Sequence, residues 1–272
     1  MRPRWRSWNW SRVLGLELAG VTVWYPPRPP VLADVNLAVP SGQCVAVLGA
    51  NGSGKSLLLK LVAGALPPSR GTVRVGPGSA RALPGGTVAW VSSDVDGGLV
   101  GATVRDHVNF YRPPPGRVAT ACARFGLGSL MDREVDTLSP GEKQRVALAG
   151  WFASGAAVWL LDEPTGPLDP EAARDVRQLI RELATDGATI LLATHEAAEV
   201  ALAHRVLVLE AGQVVFDGTP EALVACEPHC WAIPRSTVAD TGRALRRHRG
   251  GDSAPVTFDP TGLVAWVAHA WR

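Results

Sequence analysis

The sequence predicts an α/β fold built on a mostly parallel sheet, and two features point to it. Apolar runs rich in β-branched residues recur at 19–24, 43–48, 88–92, 156–161, 189–193 and 205–209, with helical patterns between several of them. The second feature is local: the strand CVAVLG runs through a glycine-rich loop into LLLKLVAGAL, the strand, loop and helix order of a phosphate-binding unit. The 272 residues, 46% of them apolar, allow one to two domains with a sizeable core.

From the N-terminus, residues 1–12 (MRPRWRSWNWSR) are basic and Trp-rich, and no apolar run or cleavage site of a signal peptide follows them, so the chain is expected in the cytoplasm. They read as a disordered tail. Contact with a membrane surface through Trp5, Trp8 and Trp10 is the alternative. Further along, between Asp94 and Arg145, the strand pattern loosens around PPP at 113–115, which places a helical subdomain at about 94–146. The longest uncharged stretch, residues 146–161, is broken by two glycines and is shorter than a membrane span, so it reads as a buried helix followed by a buried strand. In PEAARDVRQLIRELATDG, Asp169 is the expected N-cap, Pro170 stands at N1, Val176, Ile180 and Leu183 share a face, and Gly187 ends the helix. Residues 223–272 read as a small appended domain.

Charge and cysteine usage exclude several classes. Acidic and basic residues nearly cancel at net +2, and only Lys55, Lys60 and Lys143 are lysines, so no basic field points to nucleic acid. Cys44, Cys122, Cys226 and Cys230 are too few and scattered for a disulfide framework, in keeping with a reducing compartment. Cys226, His229 and Cys230 could supply metal ligands, but no partner cluster exists elsewhere, and they read as ordinary residues.

Three motifs carry chemistry. In Gly49, Ala50, Asn51, Gly52, Ser53, Gly54, Lys55 and Ser56, the glycines let backbone N–H groups wrap phosphate oxygens. Lys55 can reach the β and γ phosphates, and Ser56 can ligate Mg2+. The strand VWLLDEP ends in Asp162, suited to the magnesium shell, and Glu163, suited to take a proton from an attacking water. In LSPGEKQR, Ser139 and Glu142 form a capping box with Pro140 at N1, so a helix starts there with free N–H groups that an anion could use.

Together these motifs resemble those of ATP-binding cassette (ABC) ATPases, over about residues 13–222 and with six motifs in the family's order. The resemblance implies a RecA-like P-loop core, an antiparallel β subdomain and a helical subdomain, with a small C-terminal extension. It implies ATP and Mg2+ as ligands. Tyr25 would stack on adenine, Ser139, Pro140, Gly141 and Glu142 would form the signature that faces a partner's ATP, Asp169 would lie in the following loop, and His195 would be the switch histidine at γ-phosphate. A second cassette chain, identical or not, would complete the two sites, and integral membrane subunits would be moved by their closure.

LSPGEKQRVALAG, GGLVGATVRDHV and the C-terminal PVTFDPTGLV look most like the ATPases of energy-coupling factor importers of metal ions or vitamins. That similarity implies a peripheral position on the cytoplasmic face of the membrane and a dimerising role for residues 223–272. A ribosome- or DNA-acting cassette is disfavoured, since it would need two cassettes or a long coiled coil.

Three positions depart from the family pattern. Leu57 replaces a hydroxyl residue after Ser56, Pro140 replaces a signature glycine, and Ser93 stands where the family places a glutamine that reaches magnesium and the attacking water. Serine is too short to span that gap without a bridging water or help from Asp94. Slow hydrolysis is therefore expected, and a regulatory cassette that binds ATP with little turnover is the alternative.

Overall fold

The computed structural model describes residues 15–76, 78–82, 86–92, 94 and 96–225. The N-terminal tail, Ser93, the Cys226–Cys230 group and all but the first residues of the expected C-terminal domain lie outside them.

In chain order the elements are β1 (Leu16–Val23), β2 (Leu32–Val39), β3 (Cys44–Leu48), α1 (Lys55–Val62), β4 (Arg70–Val75), β5 (Gly78–Ser79), β6 (Val88–Val91), α2 (Val104–Phe110), α3 (Arg117–Phe125) and α4 (Pro140–Ser154). There follow β7 (Val158–Asp162), α5 (Pro170–Thr185), β8 (Thr189–Ala193), α6 (Ala197–Val200), β9 (Arg205–Glu210), β10 (Gln213–Gly218) and α7 (Pro220–Ala225).

Two sheets result. The larger has six strands in the order β10-β9-β3-β8-β7-β6 and is parallel except where β10 pairs back on β9. The smaller is antiparallel, in the order β2-β1-β4-β5. The predicted fold class is the one observed: an α/β core, an antiparallel sheet and a helical group in which α2 and α3 pack on α4.

β3, β7 and β8 are buried at every position, because helices or the second sheet cover both of their faces. That is why they are continuous apolar runs in the sequence. The predicted strands at 43–48, 88–92, 156–161, 189–193 and 205–209 match these and their neighbours to within a few residues. β2, β4 and β10 escaped the sequence reading for the opposite reason. LADVNLAV and QVVFDG alternate buried or half-buried with exposed residues along one-sided antiparallel strands, so no uninterrupted apolar run marks them.

Helix starts follow the local signals. Ser139 and Glu142 close a reciprocal capping box at α4 with Pro140 in its first turn, and Thr103 and Asp106 do the same at α2. Asp169 caps α5 through the N–H groups of Glu171 and Ala172. Val176, Ile180 and Leu183 of α5 are all buried in the core beside the large sheet. A second core, between the two sheets, encloses Leu58, Leu59 and Leu61 of α1. The phosphate loop is thus fixed at one end by a buried strand and at the other by a buried helix.

Candidate nucleotide site

Because β3, β8, β7 and β6 are parallel, their C-terminal ends share one edge. Val47 pairs with Ala193, Ala193 with Asp162, and Val91 with Leu161. The residues just beyond those positions are the phosphate loop, Thr194 and His195, Glu163, and Ser92. Ligands of parallel α/β sheets bind at this edge.

The loop is shaped by two glycines that nothing larger could replace. At Gly49 (φ 150°) a Cβ would lie 2.3 Å from the Leu209 carbonyl oxygen, and at Gly54 (φ 107°) it would lie 2.6 Å from Leu32 Cδ2. Gly54 gives α1 no side-chain cap, so the first N–H groups of the helix are left to an outside acceptor. Asn51 and Gly52 are exposed. Lys55 is buried and folds back on the loop, donating from Nζ to the carbonyls of Gly49 at 2.8 Å and Ala50 at 3.2 Å. Ser53 Oγ is buried without a hydrogen-bond partner among the described residues. This is a cradle for an anion, with an unused hydroxyl inside it. Leu57 packs half-buried against the inter-sheet core.

At the tip of β7, Asp162 is 4% exposed and Glu163 turns the chain with φ +49°, a left-handed conformation that costs a non-glycine residue of order 1 kcal/mol. The Glu163 N–H bonds the Ala193 carbonyl at 2.9 Å, tying this turn to the end of β8. The two side chains that the turns project then meet: His195 Nε2 lies 3.4 Å from Glu163 Oε2. Ser56 and Asp162 offer a hydroxyl and a carboxylate, an oxygen pair that fits Mg2+, which keeps several waters and takes further ligands from phosphate.

Other expected residues sit apart from this edge. Tyr25 is 52% exposed in the connection between β1 and β2, whose later residues Val31 and Leu32 flank Gly54. Ser139 and Pro140 are exposed at the start of α4, with Gly141 and Glu142 half-buried beside them. Ser139 Oγ accepts the Glu142 N–H at 3.3 Å, and its hydroxyl is in turn hydrogen-bonded to the Glu142 carboxylate. The Ser139 N–H held by Glu142 keeps that carboxyl below its usual range, and Arg133 adds to the effect from 3.3 Å. Asp169 is exposed, and the two N–H groups it caps lower its pKa as well. Asp94 is exposed, and its Oδ1 accepts the Gly97 N–H at 3.3 Å.

The sequence reading missed four polar residues that hold the edge together. Gln144, fully buried on α4, donates to the Pro164 carbonyl at 2.8 Å, immediately after Glu163. Thr165 donates to the buried Glu199 at 2.6 Å, and Thr194 accepts the Glu196 N–H at 2.9 Å. The available signal was an acid at 199 inside the otherwise apolar AAEVALA.

Comparisons with known proteins agree with this geometry. A family model described as ABC transporter matches residues 32–166. The chain is 38% identical over 222 residues to the energy-coupling factor transporter ATP-binding protein EcfA1 of Halalkalibacterium halodurans, covering 76% of this chain and 79% of that one. It is 39% identical over 216 residues to EcfA1 of Lacticaseibacillus paracasei, covering 73% and 77%. Among solved structures, cbiO1 of Clostridium perfringens, described as part of the ABC transporter complex cbiONQ, superposes with a TM-score of 0.66 at 30% identity, covering 77% of this chain and 90% of that one. The ATP-binding cassette MJ0796, solved as a dimer with ADP and Pi, shares the fold at a TM-score of 0.68 and 24% identity, covering 75% and 98%. With a phosphate cradle, an acidic strand tip and a facing histidine on one sheet edge, and relatives at this identity over most of its length, the chain belongs to the ABC transporter ATPases, among the energy-coupling factor ATP-binding proteins.

Proposed function

We propose that this chain binds and hydrolyses ATP to power a membrane importer of the energy-coupling factor type, whose cargo is a metal ion or a vitamin. The observation that carries the reading is the Glu163–His195 pair at 3.4 Å, on the same sheet edge as the phosphate loop.

The loop N–H groups and the start of α1 would hold the β and γ phosphates, and Lys55 Nζ would exchange the Gly49 and Ala50 carbonyls for phosphate oxygens. Ser56 and Asp162 would hold Mg2+, which when bound neutralises charge on the phosphates. Glu163 accepts a proton from the attacking water as its oxygen bonds to the γ phosphorus and the bond to the ADP oxygen breaks. His195 contacts the γ-phosphate and keeps the Glu163 carboxylate in place. Tyr25 stacks on adenine.

Ser139, Pro140, Gly141 and Glu142 face the nucleotide of a second cassette chain, identical or related, with Asp169 near the same junction. Residues 223–272 contribute to that pairing, and 13–222 form the cassette. The partners of this pair are integral membrane subunits, with this chain bound peripherally on the cytoplasmic face; no helix among the described residues is long and apolar enough to cross a membrane.

Measuring ATP turnover by the full chain alone and with its membrane subunits tests the proposal. Turnover that rises in the complex and disappears with Glu163→Gln is expected. ATP binding with no turnover in either sample would replace it with the regulatory-cassette reading.

A further inference from the structure

A carboxyl that is fully buried, away from the nucleotide cradle, connects the two halves of the hydrolytic pair. Glu199 lies in α6, and Thr165 Oγ1 donates to its Oε1 at 2.6 Å. Thr165 belongs to the tight turn that follows Glu163: the Gly166 N–H bonds the Glu163 carbonyl at 3.1 Å, and the Leu168 N–H bonds that of Thr165 at 3.1 Å. On the other side, Glu199 interacts with the hydroxyl of Thr194, the residue before His195. Thr194 is itself fixed, its N–H on the Val47 carbonyl at 3.2 Å and its Oγ1 accepting the Glu196 N–H at 2.9 Å. One side chain therefore contacts both the loop that carries Glu163 and the loop that carries His195.

Stability alone does not account for this residue. Burial pushes the Glu199 carboxyl above its ordinary range, Glu196 pushes it further, and Thr165, Thr194 and Arg177 only partly oppose them. Its Oε2 is buried without a hydrogen-bond partner among the described residues. An apolar side chain of similar volume would fill the space at lower desolvation cost. What it could not do is accept the Thr165 hydroxyl while touching Thr194.

We propose that Glu199 is a positioning residue for hydrolysis: by bracing Thr165 against Thr194 it sets the approach of Glu163 to His195. This rests on the reading of those two residues as the hydrolytic pair. Glu199 is fully buried and engaged by Thr165 and Thr194, so its effect passes through the orientation of Glu163 and falls on the chemical step rather than on ATP binding.

The test is steady-state hydrolysis of Mg-ATP by the full chain in its transporter complex, comparing Glu199→Ala, Glu199→Gln and Thr165→Val. Glu199→Ala and Thr165→Val are expected to lower kcat about tenfold or more with KM within about twofold, because a misplaced base weakens the transition state and not the bound ground state. Glu199→Gln, which keeps an acceptor for Thr165, is expected to restore kcat to within about threefold of the wild type. In a Glu163→Gln background, Thr165→Val should cause no further loss, whereas a merely structural defect would lower the residual rate in proportion. Should Glu199→Ala fail to fold, Thr165→Val carries the test, since it removes one hydroxyl at nearly constant volume.

An unchanged kcat in Thr165→Val, a parallel rise in KM, or the same proportional loss on top of Glu163→Gln overturns the proposal. If Glu163→Gln alone leaves hydrolysis intact, the underlying assignment of the base has failed. If Glu163→Gln abolishes hydrolysis while the Thr165 and Glu199 variants turn over normally, the brace alone has failed.

Discussion

His195 Nε2 lies 3.4 Å from Glu163 Oε2, although they are 32 positions apart in the chain. Their meeting follows from the parallel pairing of β7 and β8, which ends both strands at the same level and projects both turns from one edge. Glu163→Gln is expected to lower ATP hydrolysis about a hundred- to ten-thousand-fold, the range for loss of a general base, while ATP binding persists. His195→Ala should lower kcat in the same direction. Single-turnover rates beside nucleotide affinity, measured on the same preparations, separate the two effects.

Lys55 Nζ donates to the carbonyls of Gly49 and Ala50 within the loop. Lys55→Ala removes the cation that would follow charge onto the β–γ bridge, and a roughly hundred- to thousand-fold fall in kcat/KM is expected, as for the loss of one preorganised electrostatic group. The measurement is hydrolysis over a range of ATP concentrations, with circular dichroism to show that the loop glycines still fold the cradle.

By the sequence resemblance, Ser93 would take the position of an amide that reaches the attacking water. Ser93→Gln restores that reach, and turnover in the assembled complex should rise about tenfold, the equivalent of roughly 1.4 kcal/mol in the transition state. Equal turnover in the two proteins would show that the serine is not limiting.

His107 on α2 is fully buried, and its Nδ1 accepts the Val100 N–H at 3.0 Å. Burial pushes its pKa down from 6.5 to about 4, and protonating Nδ1 would also cost the bond from Val100. As pH falls through 6.5 the unfolded chain takes the proton first, so the native state loses stability across the window from 6.5 to about 4, by roughly 3 kcal/mol in full, and this contribution is constant above it. Urea midpoints of the full chain at a series of pH values check this. His107→Leu should give a curve that is lower above pH 6.5, because the Val100 N–H loses its acceptor, but flatter in that window, so that the two curves converge toward pH 4.

How much of this was legible in the sequence depended on the physical origin of each signal. Doubly covered strands such as VWLLD and TILLA are continuous apolar runs, and the helix beginning at Ser139 is marked by its own capping residues, so both could be read directly. The phosphate loop was legible because only glycine can occupy Gly49 and Gly54. LADVNLAV was not, since one exposed face dilutes its apolar pattern. Gln144, Thr165 and Glu199 were not recognised either, because a buried polar residue is defined by the partner that folding brings to it, and those partners lie 20 and 34 positions away.

The Gln144 bond to the Pro164 carbonyl ties the N-terminal part of α4 to the loop beside this chain's own base, and Ser139, which caps the start of the same helix, is exposed. In a head-to-tail pair, a γ-phosphate seated on Ser139 by the neighbouring chain would pull on a rigid helix whose fifth residue holds the backbone beside Glu163. Each site would then report its occupancy to the other, and the rate would climb more steeply than in proportion to ATP concentration. A cassette wired in this way works as a two-handed latch, released only when both halves are loaded.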